Sequence, residues 1–382
     1  MRGNWRWAAA LVVGVAACIV LPLLWRHAMV DLKVYRLGGE TLLEHPKALY
    51  DVRLGGTPLP FTYPPFAAVV MVPFALMPWP VATVVWTVVT IVALVAVWRI
   101  CITLPPAAMF GVVAASLLLE PVRETLGFGQ VNLLLCALIL YDVLNTKHNG
   151  RGIWIGVAAG IKLTPLVFLG LLAVTRQWKA LAYATAGFAA TVLVGFAVTP
   201  KAATEYWTSL VSDATRVGGL AFASNQSWNG FLVRVQGDLD GGGPIWLALA
   251  ALTALAGLYF CRVLWLRGDR IAATAVTGLI SLLCSPVSWS HHWVWCIPLG
   301  VALVQPFETR AKVAVGILWT AVFAIAPIWW PPNHENRELD WTIGQQIAGN
   351  AYLIAATLAF ALLVVRTVKS SRHAVTSSCQ PV

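Results

Sequence analysis

The chain has 382 residues, of which 59% are hydrophobic and 11% charged, and its mean hydropathy is +0.76. Soluble domains carry about 25% charged residues, so a water-soluble core is excluded, and the apolar residues are spread too evenly for a soluble domain on one anchor. The net charge of +10 would point to nucleic acid in a soluble protein. Here Lys and Arg gathering in cytoplasmic loops accounts for it, and no nucleic-acid partner is expected.

A bilayer core of about 30 Å takes about 20 apolar residues per helix, which allows roughly ten to twelve spans. Backbone groups in lipid must be paired internally, by helices or by a closed barrel. The apolar stretches are long and unalternating, so the expectation is an all-α polytopic membrane protein forming one domain over residues 1–382. Arg2 and Arg6 precede an apolar run from Ala8 to Trp25, which predicts a first helix leaving the cytoplasm. Val15-Ala16-Ala17-Cys18 resembles a lipoprotein cleavage box, but the apolar run continues past it and an uncleaved span is expected. The polar segment from Arg26 to Pro60 is then extracytoplasmic. Its stretch near Asp31–Leu43 suits a helix lying along the membrane surface.

Further apolar runs follow at about Phe61–Met77, Val81–Trp98, Ala107–Leu119, Val131–Leu144, Ile153–Val174, Ala180–Val198, Pro244–Leu266, Ile271–Leu283, Trp293–Val304, Lys312–Trp330 and Gln345–Val365. Placing every basic cluster inside makes Ile153–Val174 begin and end in the cytoplasm. Gly156, Gly160 and Pro165 interrupt that run, so a broken or re-entrant pair of short helices is expected there. Thr199–Gly243 is a second long polar segment, on the side of the first loop, and residues 366–382 form a short cytoplasmic tail. The seven cysteines (Cys18, Cys101, Cys136, Cys261, Cys284, Cys296 and Cys379) show no metal-ligand spacing and read as small hydrophobes.

Few residues carry chemistry. Asp31 sits at the membrane–water boundary, where a carboxylate can serve as a general base on a lipid-linked substrate; a solvated loop acid or an N-cap remains open. Lys162 lies deep in an apolar run, where an ammonium faces a cavity or a partner or snorkels to the cytoplasmic face. A phosphate is a natural counter-ion for it. Glu120, Arg123, Glu124, Gln130 and Asn132 cluster at the mouth of the next span, where Gly127 and Gly129 permit close packing; the amides suit sugar hydroxyls or an interhelical contact. Ser285–Trp293 holds His291 and His292 beside Trp289. The two histidines are adjacent and cannot share one helix face, so they suit phosphate donors or an aromatic belt, and no metal site. Asp238-Leu239-Asp240 lies in a Gly-rich stretch and reads as a solvated turn. Asn225-Gln226-Ser227 matches a glycosylation sequon at chance level. No phosphate loop, nucleophile elbow or dinucleotide fingerprint occurs.

Asp31-Leu32-Lys33-Val34-Tyr35, Gly38-Gly39, Leu49-Tyr50-Asp51 and Leu59-Pro60-Phe61-Thr62-Tyr63-Pro64-Pro65-Phe66 together resemble the start of glycosyltransferase family 87. These are actinobacterial polyprenol-phosphate-mannose-dependent α-1,2-mannosyltransferases of the membrane C-type class (GT-C). Gly129–Asn132, Gly160–Pro165 and Ser288–Trp293 also look like that family. The resemblance implies an inverting transfer of mannose from a polyprenyl-phosphate mannose donor, at the outer face of the cytoplasmic membrane. It places the catalytic base on Asp31. Lys162, His292, His291 and Arg123 would meet the donor phosphate, and Tyr35, Tyr63, Gln130, Asn132 and Trp289 would bind substrate. No cofactor is implied, and fixed cations beside a monophosphate leaving group agree with metal independence. Acceptors of the family are phosphatidylinositol mannosides and mannan backbones of lipomannan and lipoarabinomannan; a short chain mildly favours small or linear acceptors. An arabinofuranosyltransferase of the same architecture is the alternative, with a transporter or flippase behind it.

Overall fold

The computed structural model describes residues 27–57, 59–145, 147–239, 241–305 and 309–377. The expected first span at Ala8–Trp25 lies outside the described residues, as do Cys18, Cys379 and Asp240. Every named element is helical, and the one β feature among the described residues is an isolated bridge between Arg53 and Pro60.

Among the described residues, four stretches are long and apolar enough to cross a bilayer: α3 (Trp79–Cys101), α9 (Trp178–Val198), α12 (Gly243–Leu266) and the Ala351–Val368 part of α17 (Ala351–Ser377). The pair α4 (Pro106–Ser116) and α5 (Glu120–Phe128), bent by 75°, forms a fifth if it counts as one span. The other apolar runs fold as shorter helices, among them α2 (Pro65–Ala75), α6 (Asn132–Leu144), α13 (Arg270–Cys284) and α15 (Thr309–Ile325). The last helix continues through Arg366 to Ser377, across the expected start of the tail.

The expected break in Ile153–Val174 is present. Helix α7 (Ile153–Ile161) ends where Lys162 turns extended, a turn at Thr164–Leu166 follows, and α8 (Val167–Val174) resumes. Pro165 lacks the N–H that a continuous helix would need. Small residues set how closely α7 meets α9: a Cβ on Gly156 would lie 2.3 Å from the Ala184 carbonyl oxygen, and one on Gly160 2.2 Å from the Thr191 hydroxyl. Such contacts let backbones approach where no hydrophobic drive operates.

Helix α1 (Val30–Glu44) carries Asp31 in its first turn. It packs on α2 and the segment leading into it through Gly38 and Gly39: a Cβ on Gly38 would strike the Phe61 ring at 2.5 Å, and one on Gly39 would come within 3.0 Å of the Met71 backbone. At the other end of α1, Gly129 closes α5 with φ 72°, and a Cβ there would stand 2.7 Å from the Leu32 Cβ. A left-handed, tightly packed position favours glycine. The Met29 N–H donates to the Gly127 carbonyl at 3.0 Å, so Asp31 is held beside Gln130, one residue past the turn.

The second polar segment is ordered by buried polar contacts. It forms α10 (Pro200–Thr208), turns, and α11 (Trp228–Gln236). Ser224, Asn225, Gln226 and Ser227 are buried. The Asn225 amide donates to the Leu220 carbonyl, and its oxygen accepts from the Ser288 N–H. Asn225 is therefore closed to glycan attachment. Helices α14 (Cys296–Val304) and α16 (Ile343–Gly349) complete the set.

Candidate active site

A cavity of about 880 Å³ opens among the connections between helices. One set of its lining residues is charged. The Gln130 amide donates to the Asp31 carboxylate at 2.7 Å, and the Tyr35 hydroxyl donates to the Gln130 oxygen at 2.8 Å. Tyr63 joins the set, its hydroxyl 3.1 Å from that of Tyr35. Asp31 does not cap its own helix: Met29 occupies the cap position, with no side-chain bond. Nor is Asp31 a freely solvated acid. Burial raises its pKa to about 6, against the opposing pull of the Gln130 hydrogen bond and the nearby Lys162 charge.

Lys162 points into the cavity and does not snorkel. Its ammonium donates to Asn132 Oδ1 at 3.0 Å and lies 2.8 Å from His292 Nε2. A protonated Lys162 has only donors, and His292 then accepts through Nε2. The break after α7 is what frees Lys162: its extended backbone turns the side chain off the helix face. Asn132 is buried, and its amide donates to the His291 carbonyl at 2.9 Å, so it braces Lys162 from behind. His291 is 6% exposed and lines the cavity, yet neither ring nitrogen has a hydrogen-bond partner among the described residues. Arg123 stands at the rim, half exposed, beside Glu124 at 3.8 Å, which His27 also meets at 2.7 Å. Glu120 of the same sequence cluster turns away, buried, and accepts from Trp329 Nε1 and the Tyr352 hydroxyl, each at 2.9 Å.

Of the sequence-predicted residues, Asp31, Tyr63, Gln130, Lys162, His291, His292, Arg123 and Trp289 all line this one cavity. Tyr35 and Asn132 support it from behind. Sequence reasoning passed over Arg216 and Phe222, which also line it. Arg216 sits over the Tyr50 ring at 5.5 Å and reaches the Phe61 carbonyl at 3.4 Å. Both lie in the second polar segment, where nothing in the local pattern separates a cavity residue from a solvated one.

The family model for glycosyltransferase family 87 matches residues 61–286, more than half of the chain. The chain belongs to glycosyltransferase family 87. A relative from Mycolicibacterium smegmatis is 38% identical over 78% of each chain, and one from Mycobacterium tuberculosis is 39% identical over 78% of this chain and 74% of its own. Both are named polyprenol-phosphate-mannose-dependent alpha-(1-2)-phosphatidylinositol pentamannoside mannosyltransferases. A second Mycobacterium tuberculosis relative is 31% identical over 97% of this chain and 93% of its own, and its name specifies phosphatidylinositol mannoside instead. No solved structure matches the chain. This family 87 member is a multi-pass membrane glycosyltransferase, and its all-α architecture agrees with the C-type class expected from the sequence.

Proposed function

We propose that the protein transfers mannose from a polyprenyl-monophosphate mannose to a phosphatidylinositol mannoside or related mannan acceptor, in α-1,2 linkage, at the outer face of the cytoplasmic membrane. The observation that carries this reading is the meeting of one carboxylate and one braced ammonium, Asp31 and Lys162, in the same cavity. The relatives' names supply the donor and acceptor classes.

Asp31 takes the proton of the acceptor hydroxyl as its oxygen attacks the anomeric carbon. The bond from that carbon to the donor phosphate oxygen breaks, and the polyprenyl phosphate leaves with the electron pair, inverting a β donor to an α product. A base with a pKa near 6 is ionised at neutral pH yet stronger than an ordinary carboxylate. Lys162, with His292 beside it, meets the charge developing on the phosphate; a fixed cation pre-aimed at that charge costs no reorganisation. His291 and Arg123 are further donors toward the same phosphate, and Tyr63 and Gln130 toward the sugar.

The test compares lipid-linked mannose with lipid-linked arabinose as donors for the purified protein and a mannoside acceptor. Transfer from the mannose donor alone is expected; transfer from arabinose alone would replace the donor assignment. Because Lys162 supplies the cation, EDTA is expected to leave turnover unchanged, and a loss restored by added metal would contradict that role.

A further inference from the structure

A second set of cavity-lining residues is aromatic. The Phe222 ring lies 6.1 Å from Trp289, 5.8 Å from Trp329 and 5.5 Å from His334, and all four line the cavity. Phe222, Trp289 and His334 come from three separate connections, and Trp329 from the end of the apolar run Lys312–Trp330. Buried polar groups hold those connections together. The buried Glu338 carboxylate accepts the Ala223 and His334 backbone N–H groups, each at 3.2 Å, and so ties the Phe222 and His334 segments. Ser224 Oγ accepts from the Ser290 N–H at 3.0 Å, and the Gln226 N–H donates to the Ser288 carbonyl at 2.8 Å, flanking Trp289. Gly218, at φ 135°, lets the chain pass the Trp289 indole, where a Cβ would sit 3.0 Å from the ring. His334, Glu335 and Asn336 all adopt left-handed backbone, a costly conformation that persists where surrounding contacts over-determine it.

We propose that this aromatic wall is the acceptor subsite and that it binds the penultimate sugar of the acceptor glycan, leaving the terminal sugar to Asp31. The apolar C–H face of a pyranose packs on an aromatic ring, while its hydroxyls need polar neighbours; Asn333, His334 and Ser224 line the cavity among the rings. A wall that served a polyprenyl chain would need no such groups. Preorganised rings also cost little ordering entropy on binding. The inference rests on the reading that a glycan acceptor meets Asp31.

The experiment uses the full-length protein with two acceptors, a methyl mannoside and the corresponding dimannoside, and with short-chain and long-chain polyprenyl donors. The wild type is expected to prefer the dimannoside by about tenfold in kcat/KM, a difference typical of one well-packed aromatic contact. Phe222→Ala and Trp289→Ala are expected to erase that preference while the donor KM stays within about twofold, and Trp289→Phe to keep most of it. Preference surviving in both alanine variants overturns the proposal. So does a rise in donor KM that depends on prenyl length, which would assign the wall to the lipid. If the wild type transfers nothing from the mannose donor, the function reading has failed separately. Dimannoside binding followed by tryptophan fluorescence then decides the subsite: binding lost in Phe222→Ala supports it, and binding retained overturns it.

Discussion

The charged and aromatic walls of the cavity are built in different ways. The charged wall stands on helix ends and close glycine packing: Asp31 in the first turn of α1, Gln130 just past the Gly129 turn, and Lys162 where α7 breaks. The aromatic wall stands on connections, held by buried amides, hydroxyls and the Glu338 carboxylate. Chemistry needs reacting groups fixed to a fraction of an ångström, which rigid elements provide. Recognition of a glycan tolerates a looser frame, and loops carry it. The two walls should therefore fail differently when altered.

The largest effect is expected at Asp31. Asp31→Asn should lower kcat by about 10²–10⁴, the usual worth of a positioned general base, with donor binding nearly intact; wild-type turnover in that variant would break the assignment of chemistry to the charged wall. Lys162→Met comes next. It should cost about 10²–10³ in kcat, the scale of one electrostatic contact to developing charge, and raise the donor KM. If it lowers only the yield of folded protein, Lys162 is structural. An expression-normalised kinetic comparison with Asn132→Ala, which removes the brace, sharpens the point: that variant should share the direction of Lys162→Met at smaller size.

The smallest effect is on stability and has the opposite sign. Asp31 has a folded-state pKa above its unfolded value. The protonated form is the one the fold favours, so Asp31's contribution to stability is fully present below about pH 4 and is lost as pH rises through about 6. Asp31→Asn should therefore raise the thermal midpoint at pH 7 slightly, on the order of 1–2 °C, while slowing transfer. A drop in midpoint would mean that the carboxylate is held for structure.

The same contrast explains what the sequence made legible. The interrupted run at Ile153–Val174 announced its own break, because glycine and proline act locally. The close packing at Gly129 was equally visible, and Lys162 stood out because an ammonium in an apolar run needs a partner. The aromatic wall was hidden. Phe222 lies in a segment rich in Ser, Asn, Gln and Gly, which reads as solvated loop, and the long-range partners that hold those polar side chains, the Ser288 N–H and the Pro286 and Gly349 carbonyls, come from elsewhere in the chain. Asn132 was legible as functional, but its direction was not: which side of a helix mouth an amide serves depends on where His291 and Lys162 arrive from elsewhere in the chain.

The role of Asp31 as base is tested by the pH dependence of kcat/KM for mannosyl transfer by the wild type and by Gln130→Leu. Asp31 as base predicts an acid limb near pH 6 in the wild type. The Gln130 hydrogen bond holds the carboxyl down, so its loss should move that limb upward by about one pH unit. A wild-type profile flat through pH 6, or a limb that stays in place when Gln130 is replaced, would contradict Asp31 as the base.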